Sequence, residues 1–176
     1  MKNHELHRLL TQIKTGDINA FRQLYEGLYK AVCSVSYATL HDFYLAEDAA
    51  QETFLTIFKK CNQYRDKRNA ASWIFTIAHH TSLNMVGKTS REDVGLQETV
   101  TALDSFEDMV CDRMMLKTLF SNLDQNERQI VVMHLIAGLK HRETAAILNM
   151  PLGTVLRKYR ESLQKLNLQA KEGRNL

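Results

Sequence analysis

Apolar residues recur three and four positions apart through most of the chain, and nowhere do they alternate with polar ones as a half-buried strand requires. The pattern predicts an all-α fold, with helices over residues 4–15, 18–37, 47–60 and 70–86. Gly16 and Asp17 separate the first helix from the second, and Asp17 suits the N-cap because its carboxylate can accept from N–H groups left unpaired at a helix start. Over 47–60 the stripe turns Ala50, Phe54, Ile57, Phe58 and Cys61 inward and leaves Asp48, Glu52, Thr56 and Lys59 outside. Over 70–86 it turns Ala70, Ile74, Ile77, Ala78, Thr81 and Met85 inward, with Thr76, His79, His80 and Leu83 facing out and Trp73, Phe75 and Asn84 on the flanks.

The stripe is lost over residues 87–104, which collect Gly, Ser, Thr and acids and read as a linker. Fully extended at about 3.5 Å per residue, such a segment reaches roughly 60 Å. Beyond it, Ser105 with Asp108 opens a helix to about Leu123, and Asp124 with Glu127 forms a better capping box for a helix to Ala137. Gly138 suits the left-handed position after that helix. A helix over 140–148, a turn at Asn149-Met150-Pro151 and a helix over 152–170 then complete a helix-turn-helix. The chain divides into two small helical domains, 1–86 and 105–176, joined by a flexible linker.

Charge sharpens this division. Residues 1–86 carry ten Lys/Arg against eight Asp/Glu, 87–112 carry two against seven, and 113–176 carry eleven against five. A basic C-terminal third behind an acidic middle is the footprint of a nucleic-acid module attached to something else. The polar start lacks the apolar core of a signal peptide, and no apolar run approaches a membrane span, so the expected location is the cytoplasm. Cys33, Cys61 and Cys111 are odd in number and widely spaced, which fits reduced core thiols.

The last helix carries the clearest recognition chemistry. On a helical wheel Val155, Tyr159, Ser162 and Leu166 share one side, with Gly153, Arg157, Arg160, Glu161 and Gln164 opposite. Arg can fork to guanine, Gln can pair with adenine and Glu can accept from cytosine in the major groove, while Lys158 and Lys165 on the flank suit phosphates. The same wheel also describes any amphipathic helix showing charges to water. In the first domain, Asp48 and Glu52 stand at i and i+4, where like charges repel and a cationic partner would relieve them. Acids favoured by a helix dipole would look the same. Trp73 and Phe75, behind the basic loop Tyr64–Ala71, could stack unpaired bases or simply fill a core. No P-loop, G-x-S-x-G or H-E-x-x-H occurs, so neither a catalytic centre, a metal, a cofactor nor a small-molecule substrate is expected.

Three segments resemble known family signatures. Residues 123–166 are similar to region 4 of the sigma-70 family through Leu123, Arg128, Gly138, Glu143, Ala145, Leu148, Gly153, Thr154 and Val155. Ala46-Glu47-Asp48-Ala49-Ala50-Gln51-Glu52-Thr53-Phe54 resembles its region 2.2, preceded by Gly16-Asp17, Ala20-Phe21 and Leu24-Tyr25 of a region 2.1 opening. Ser72-Trp73-Ile74-Phe75 with Ile77-Ala78 resembles regions 2.3 and 2.4. The resemblance implies an initiation factor of the extracytoplasmic-function (ECF) type, whose partners are the β′ and β subunits of core RNA polymerase, promoter DNA and often an anti-sigma factor.

Carried over position by position, it implies polymerase contacts by Asp48, Gln51, Glu52 and Leu55. Minus-ten contacts would come from Arg65, Arg68, Asn69, Trp73, His79, His80 and Asn84. Upstream, minus-thirty-five contacts would come from Thr154, Arg157, Lys158, Arg160, Glu161, Gln164 and Lys165. Departures are evident too: Lys140 replaces the usual Ser cap, Leu156 and Glu161 stand where basic residues are common, and 79–88 lacks the usual charges. A stand-alone helix-turn-helix regulator and a sigma-like adaptor that binds polymerase without opening DNA are the alternatives.

Overall fold

Several helix starts in this protein are set by side chains that cap them, at Asp17, Asp42, Asn69 and Asp124. The computed structural model describes residues 1–65, 69–89, 117, 118 and 120–172, and every regular element among them is helical: α1 (Asn3–Lys14), α2 (Ile18–Leu40), α3 (Phe43–Lys60) with a 3₁₀ turn (Cys61–Gln63), α4 (Ala70–Thr89), α5 (Gln125–Leu135), α6 (His141–Ile147) and α7 (Leu152–Glu172). Between α1 and α2, Gly16 takes a φ of +89° and Asp17 Oδ1 accepts from the Asn19 and Ala20 N–H groups at 2.9 and 3.1 Å. Asp42 does the same for α3, accepting from Leu45 N at 2.9 Å.

That cap starts α3 at Phe43, four residues before the position the apolar stripe predicts. Phe43, Tyr44 and Leu45 are consecutive, so they blur a helical period, and the cap only becomes evident once its bond is seen. The earlier start has a consequence for Asp48 and Glu52, which lie beyond the first turn of α3, where the helix dipole no longer favours a carboxylate.

Helices α1 to α4 pack on one another around Leu9, Leu10, Leu24, Val32, Ile57 and Ile74. Three side chains depart from the predicted faces. Phe58 is exposed, and its ring meets that of Phe21 in a T-shaped arrangement with centroids 5.2 Å apart. Phe75 and His79 are buried instead of lying on the flank and the outer face of α4. Helix α4 is enclosed on more sides than a simple stripe supposes, because α1, α2, α3 and α6 all pack against it.

The second unit is a helix-turn-helix with the predicted punctuation. Asp124 Oδ1 accepts from Glu127 N and Glu127 Oε2 accepts from Asp124 N, both at 2.8 Å, closing the expected capping box of α5. Gly138 sits at φ +69° and Asn149, in the tight turn before α7, at φ +51°. At α6 the Lys140 ammonium has no acceptor to offer, and only half a box forms, with Lys140 N donating to Glu143 Oε2 at 2.8 Å. The helix expected from Ser105 lies almost wholly outside the described residues, as do Cys111 and most of the linker.

The two units are not held apart. Helix α2 packs on α5 and α4 on α6, and the apolar core runs from Leu10 and Val35 through Phe120 to Val132 and Leu139. Tyr37 stacks with Phe43, ring centroids 3.9 Å apart, and with Phe120, at 5.6 Å.

Candidate polymerase and nucleic-acid interfaces

The acidic face of α3 forms because Ala46, Ala49, Ala50, Thr53 and Phe54 point into the bundle. Their burial leaves Asp48, Gln51, Glu52 and Leu55 together on the outer surface, with Leu55 51% exposed. An exposed leucine beside carboxylates on one helix face has the composition of a protein-contact surface, apolar at its centre and charged at its rim.

The minus-ten candidates separate into groups. His80 and Asn84 are exposed on α4, and Arg65 is exposed just after the buried Tyr64. Arg68 lies outside the described residues. Trp73 is half-buried and packs against Tyr64 with ring centroids 5.4 Å apart, so part of its surface serves the core. Asn69 caps α4 by accepting from Ser72 N at 3.1 Å, while its amide donates to Glu143 Oε1 of α6 at 2.7 Å. His79, only 5% exposed, leaves Nδ1 without a partner among the described residues. Burial, helped by neighbouring His80, pushes its pKa down to about 4. At neutral pH this imidazole is therefore uncharged and inside the protein, which corrects the outward orientation predicted for it.

Recognition helix α7 keeps the faces its sequence predicts. Val155 and Ser162 are buried, Tyr159 and Leu166 half-buried, and Arg157, Arg160 and Gln164 exposed, with Thr154 half-buried near the helix start. Arg157 Nη1 donates to both carboxylate oxygens of Glu161, at 2.6 and 2.9 Å, one turn along.

Both lysines expected to meet phosphates are engaged elsewhere. Lys158 Nζ lies 2.8 Å from Asp124 Oδ2, and Lys165 Nζ lies 2.7 and 2.8 Å from the carboxylate oxygens of Glu127. Burial works to raise the Asp124 pKa, but the Lys158 hydrogen bond and those from the Glu127 and Asn126 N–H groups outweigh it and hold the carboxyl below its ordinary range. The Glu127 hydrogen bond raises the Lys165 pKa against some desolvation. The same two acids that cap α5 thus anchor α7.

A second anchor has no counterpart in the sequence motifs. His134 of α5, His141 of α6 and Tyr159 of α7 pack ring to ring, with centroids 4.0, 4.6 and 4.8 Å apart. The Leu139 carbonyl accepts from His134 Nδ1 at 2.8 Å, which places that proton on Nδ1. Desolvation and the nearby His134 lower the His141 pKa. The two histidines stand seven positions apart, too far along one helix for ring contact, and the turn at Gly138 brings them together. Among the described residues no group of three His, Cys, Asp or Glu side chains could hold a metal ion, and no helix is long and apolar enough to cross a membrane.

A helical bundle with an exposed acidic face, coupled to a helix-turn-helix whose last helix exposes Arg157, Arg160 and Gln164, defines a two-part helical protein with a DNA-binding motif. Residues 24–92 match Sigma-70 region 2 and residues 113–166 match Sigma-70 region 4, and the chain belongs to the sigma-70 family. It is 24% identical to the ECF RNA polymerase sigma factor SigW of Bacillus subtilis, across 91% of this chain and 95% of that one. To the ECF RNA polymerase sigma factor RpoE of Cereibacter sphaeroides it is 29% identical, across 69% and 70% of the two chains.

Two solved structures share the fold. One is CnrH in complex with the cytosolic domain of CnrY, with a TM-score of 0.67 at 18% identity over 96% of this chain and 98% of that one. The other is the sigma factor RpoE in complex with the anti-sigma factor NepR from Bartonella quintana, with a TM-score of 0.63 at 19% identity over 86% and 96%.

Proposed function

We propose that this chain is an ECF sigma factor in which residues 1–86 hold core RNA polymerase and engage the minus-ten element, 87–104 link, and 105–176 read the upstream element. The observation that carries the reading is the exposure of Asp48, Gln51, Glu52 and Leu55 on one face of α3, in a chain whose last helix presents Arg157, Arg160 and Gln164. The carboxylates meet the β′ subunit, a contact favoured by charge and centred on Leu55. Arg160, Arg157 with its partner Glu161, and Gln164 enter the major groove, where forked donors and paired amides discriminate bases. Thr154 lies near the N-terminus of α7, where N–H groups suit a phosphate.

At the minus-ten element Arg65, Arg68, His80 and Asn84 supply polar contacts, and the exposed edge of Trp73 supplies a stacking surface. The buried His79 acts from within as a packing residue. The protein has no catalysis of its own, needs no cofactor and works in the cytoplasm, where an anti-sigma factor is a fitting regulator.

Purified protein mixed with core polymerase and genomic DNA should yield transcripts with defined starts. Glu52→Lys should abolish them while leaving the helical circular dichroism unchanged. Undiminished, identically placed starts with that variant would overturn the docking assignment.

A further inference from the structure

Helix α1 lies before residue 24, where the match to Sigma-70 region 2 begins, yet its side chains hold the segment that carries minus-ten candidates. Tyr64, 2% exposed at the head of that segment, is held at its hydroxyl, its carbonyl and its ring. The hydroxyl shares a hydrogen bond with His7 Nδ1 at 3.0 Å, and the His7 ring stands edge-on to the phenol with centroids 5.8 Å apart. The carbonyl accepts from Lys14 Nζ at 2.6 Å, and the same ammonium lies 5.3 Å from the centre of the Tyr64 ring. At the far end of the segment the Ala71 N–H donates to Asn3 Oδ1 at 3.2 Å. That donor belongs to the first turn of α4, which cannot satisfy it from within the helix.

These bonds converge on Trp73. Its backbone N–H donates to the Asn69 carbonyl at 3.0 Å, and its ring packs on Tyr64 with centroids 5.4 Å apart. A buried tyrosine needs a partner for its hydroxyl, and His7 supplies one at a fixed point on α1. With Lys14 on the carbonyl as well, the plane against which Trp73 rests is fixed from outside α4. A ring held in place before its partner arrives forfeits less side-chain freedom on stacking than a loose one.

We propose that α1 is a positioning element for the minus-ten site, in which His7 and Lys14, acting through Tyr64, set the pose of Trp73 for stacking on an unpaired base. The inference deepens the sigma reading and rests on it for the base, though the hold of α1 on Trp73 stands without it. The group that meets the base is Trp73; His7 and Lys14 are positioning residues.

Trp73 is the single tryptophan of the chain, so its fluorescence reports the pose directly. His7→Phe combined with Lys14→Met removes the polar grips and keeps apolar bulk. In the full chain this double variant should shift Trp73 emission to longer wavelength and raise its quenching by acrylamide, with unchanged helical circular dichroism. His7→Gln in place of His7→Phe gives the Tyr64 hydroxyl a polar partner again and should restore most of the wild-type emission. With core polymerase and a duplex carrying one mapped start, the double variant should give about threefold to tenfold fewer transcripts, the share of base stacking that a displaced ring loses. On the same fragment with mismatches over the minus-ten segment the deficit should shrink, because the bases are already unpaired. A purely structural role for α1 would lower the melting temperature and leave emission and transcripts as they are.

Unchanged emission overturns the positioning. Shifted emission with undiminished duplex transcription, or a deficit just as deep on the mismatched template, overturns the link to base stacking. If the wild-type chain yields no starts at all, the sigma reading fails, and fluorescence still decides the hold on Trp73. Should the double variant lose helicity, Tyr64→Phe, which deletes the hydroxyl alone, is read by the same measurements.

Discussion

Lys165 of the recognition helix holds both carboxylate oxygens of Glu127, at 2.7 and 2.8 Å, although the glutamate is only 2% exposed. A buried carboxylate depends on its counter-charge. Because Glu127 also accepts from the Asp124 N–H, the ion pair links the first turn of α5 to the middle of α7, the helix that exposes Arg157, Arg160 and Gln164.

Lys165→Met should therefore destabilise the protein, because it leaves the interior carboxylate of Glu127 without its counter-charge. Urea denaturation measures it, and Glu127→Gln added to Lys165→Met should recover part of the loss. If Lys165 served only phosphates, the denaturation midpoint would not move and DNA affinity alone would fall.

Lys140→Ser supplies the acceptor that α6 lacks at its start, where the backbone is extended and the Glu143 half of the box is in place. A gain of about 0.5 to 1.5 kcal/mol is expected from the completed cap, seen as a higher urea midpoint with an unchanged slope. A lower midpoint would show that the lysine contributes something other than a poor cap.

Arg160→Ala should relax the preference for a single upstream base pair, costing about 1 to 3 kcal/mol at that position and little elsewhere. Selection of bound sequences from a random duplex pool, compared between variant and wild type, reads this directly. A uniform loss across all sequences would place Arg160 on the phosphate backbone instead. For Arg157 a broader change is expected, because its removal also releases Glu161 from their 2.6 Å contact.

The His79 pKa falls from its ordinary 6.5 to about 4 on folding. Between those values the unfolded chain takes up a proton that the folded chain refuses, so stability decreases as the pH drops from about 6.5 to about 4 and is unaffected above that range. The full effect approaches about 3 kcal/mol at about 1.4 kcal/mol per pH unit. His79→Gln should flatten this part of the stability curve, measured by thermal unfolding at pH 7, 6, 5 and 4. Parallel curves for the two proteins would mean that His79 titrates normally.

Much of the architecture was legible from the chain alone. Caps at Asp17 and Asp124 and the left-handed Gly138 depend on neighbours a few residues away, and they form as predicted. The outer faces of α3 and α7 were legible for the same reason, since each follows from the spacing of apolar positions along a single helix. Errors arose where a helix meets more than one neighbour. His79 and Phe75 seemed peripheral on a one-sided wheel, yet α4 is enclosed by four helices. Phe58 seemed internal, yet the bundle leaves it 42% exposed.

Sequence by itself determined the helices, their stops and the side of each that avoids water, because these are set by interactions within a turn or two. Only the tertiary structure decided that Lys158 and Lys165 neutralise capping acids, that His134, His141 and Tyr159 form one cluster, and that Thr39 meets Gln129. Such pairings join residues up to ninety positions apart, and their geometry depends on how whole helices cross. No periodicity along the chain carries that information.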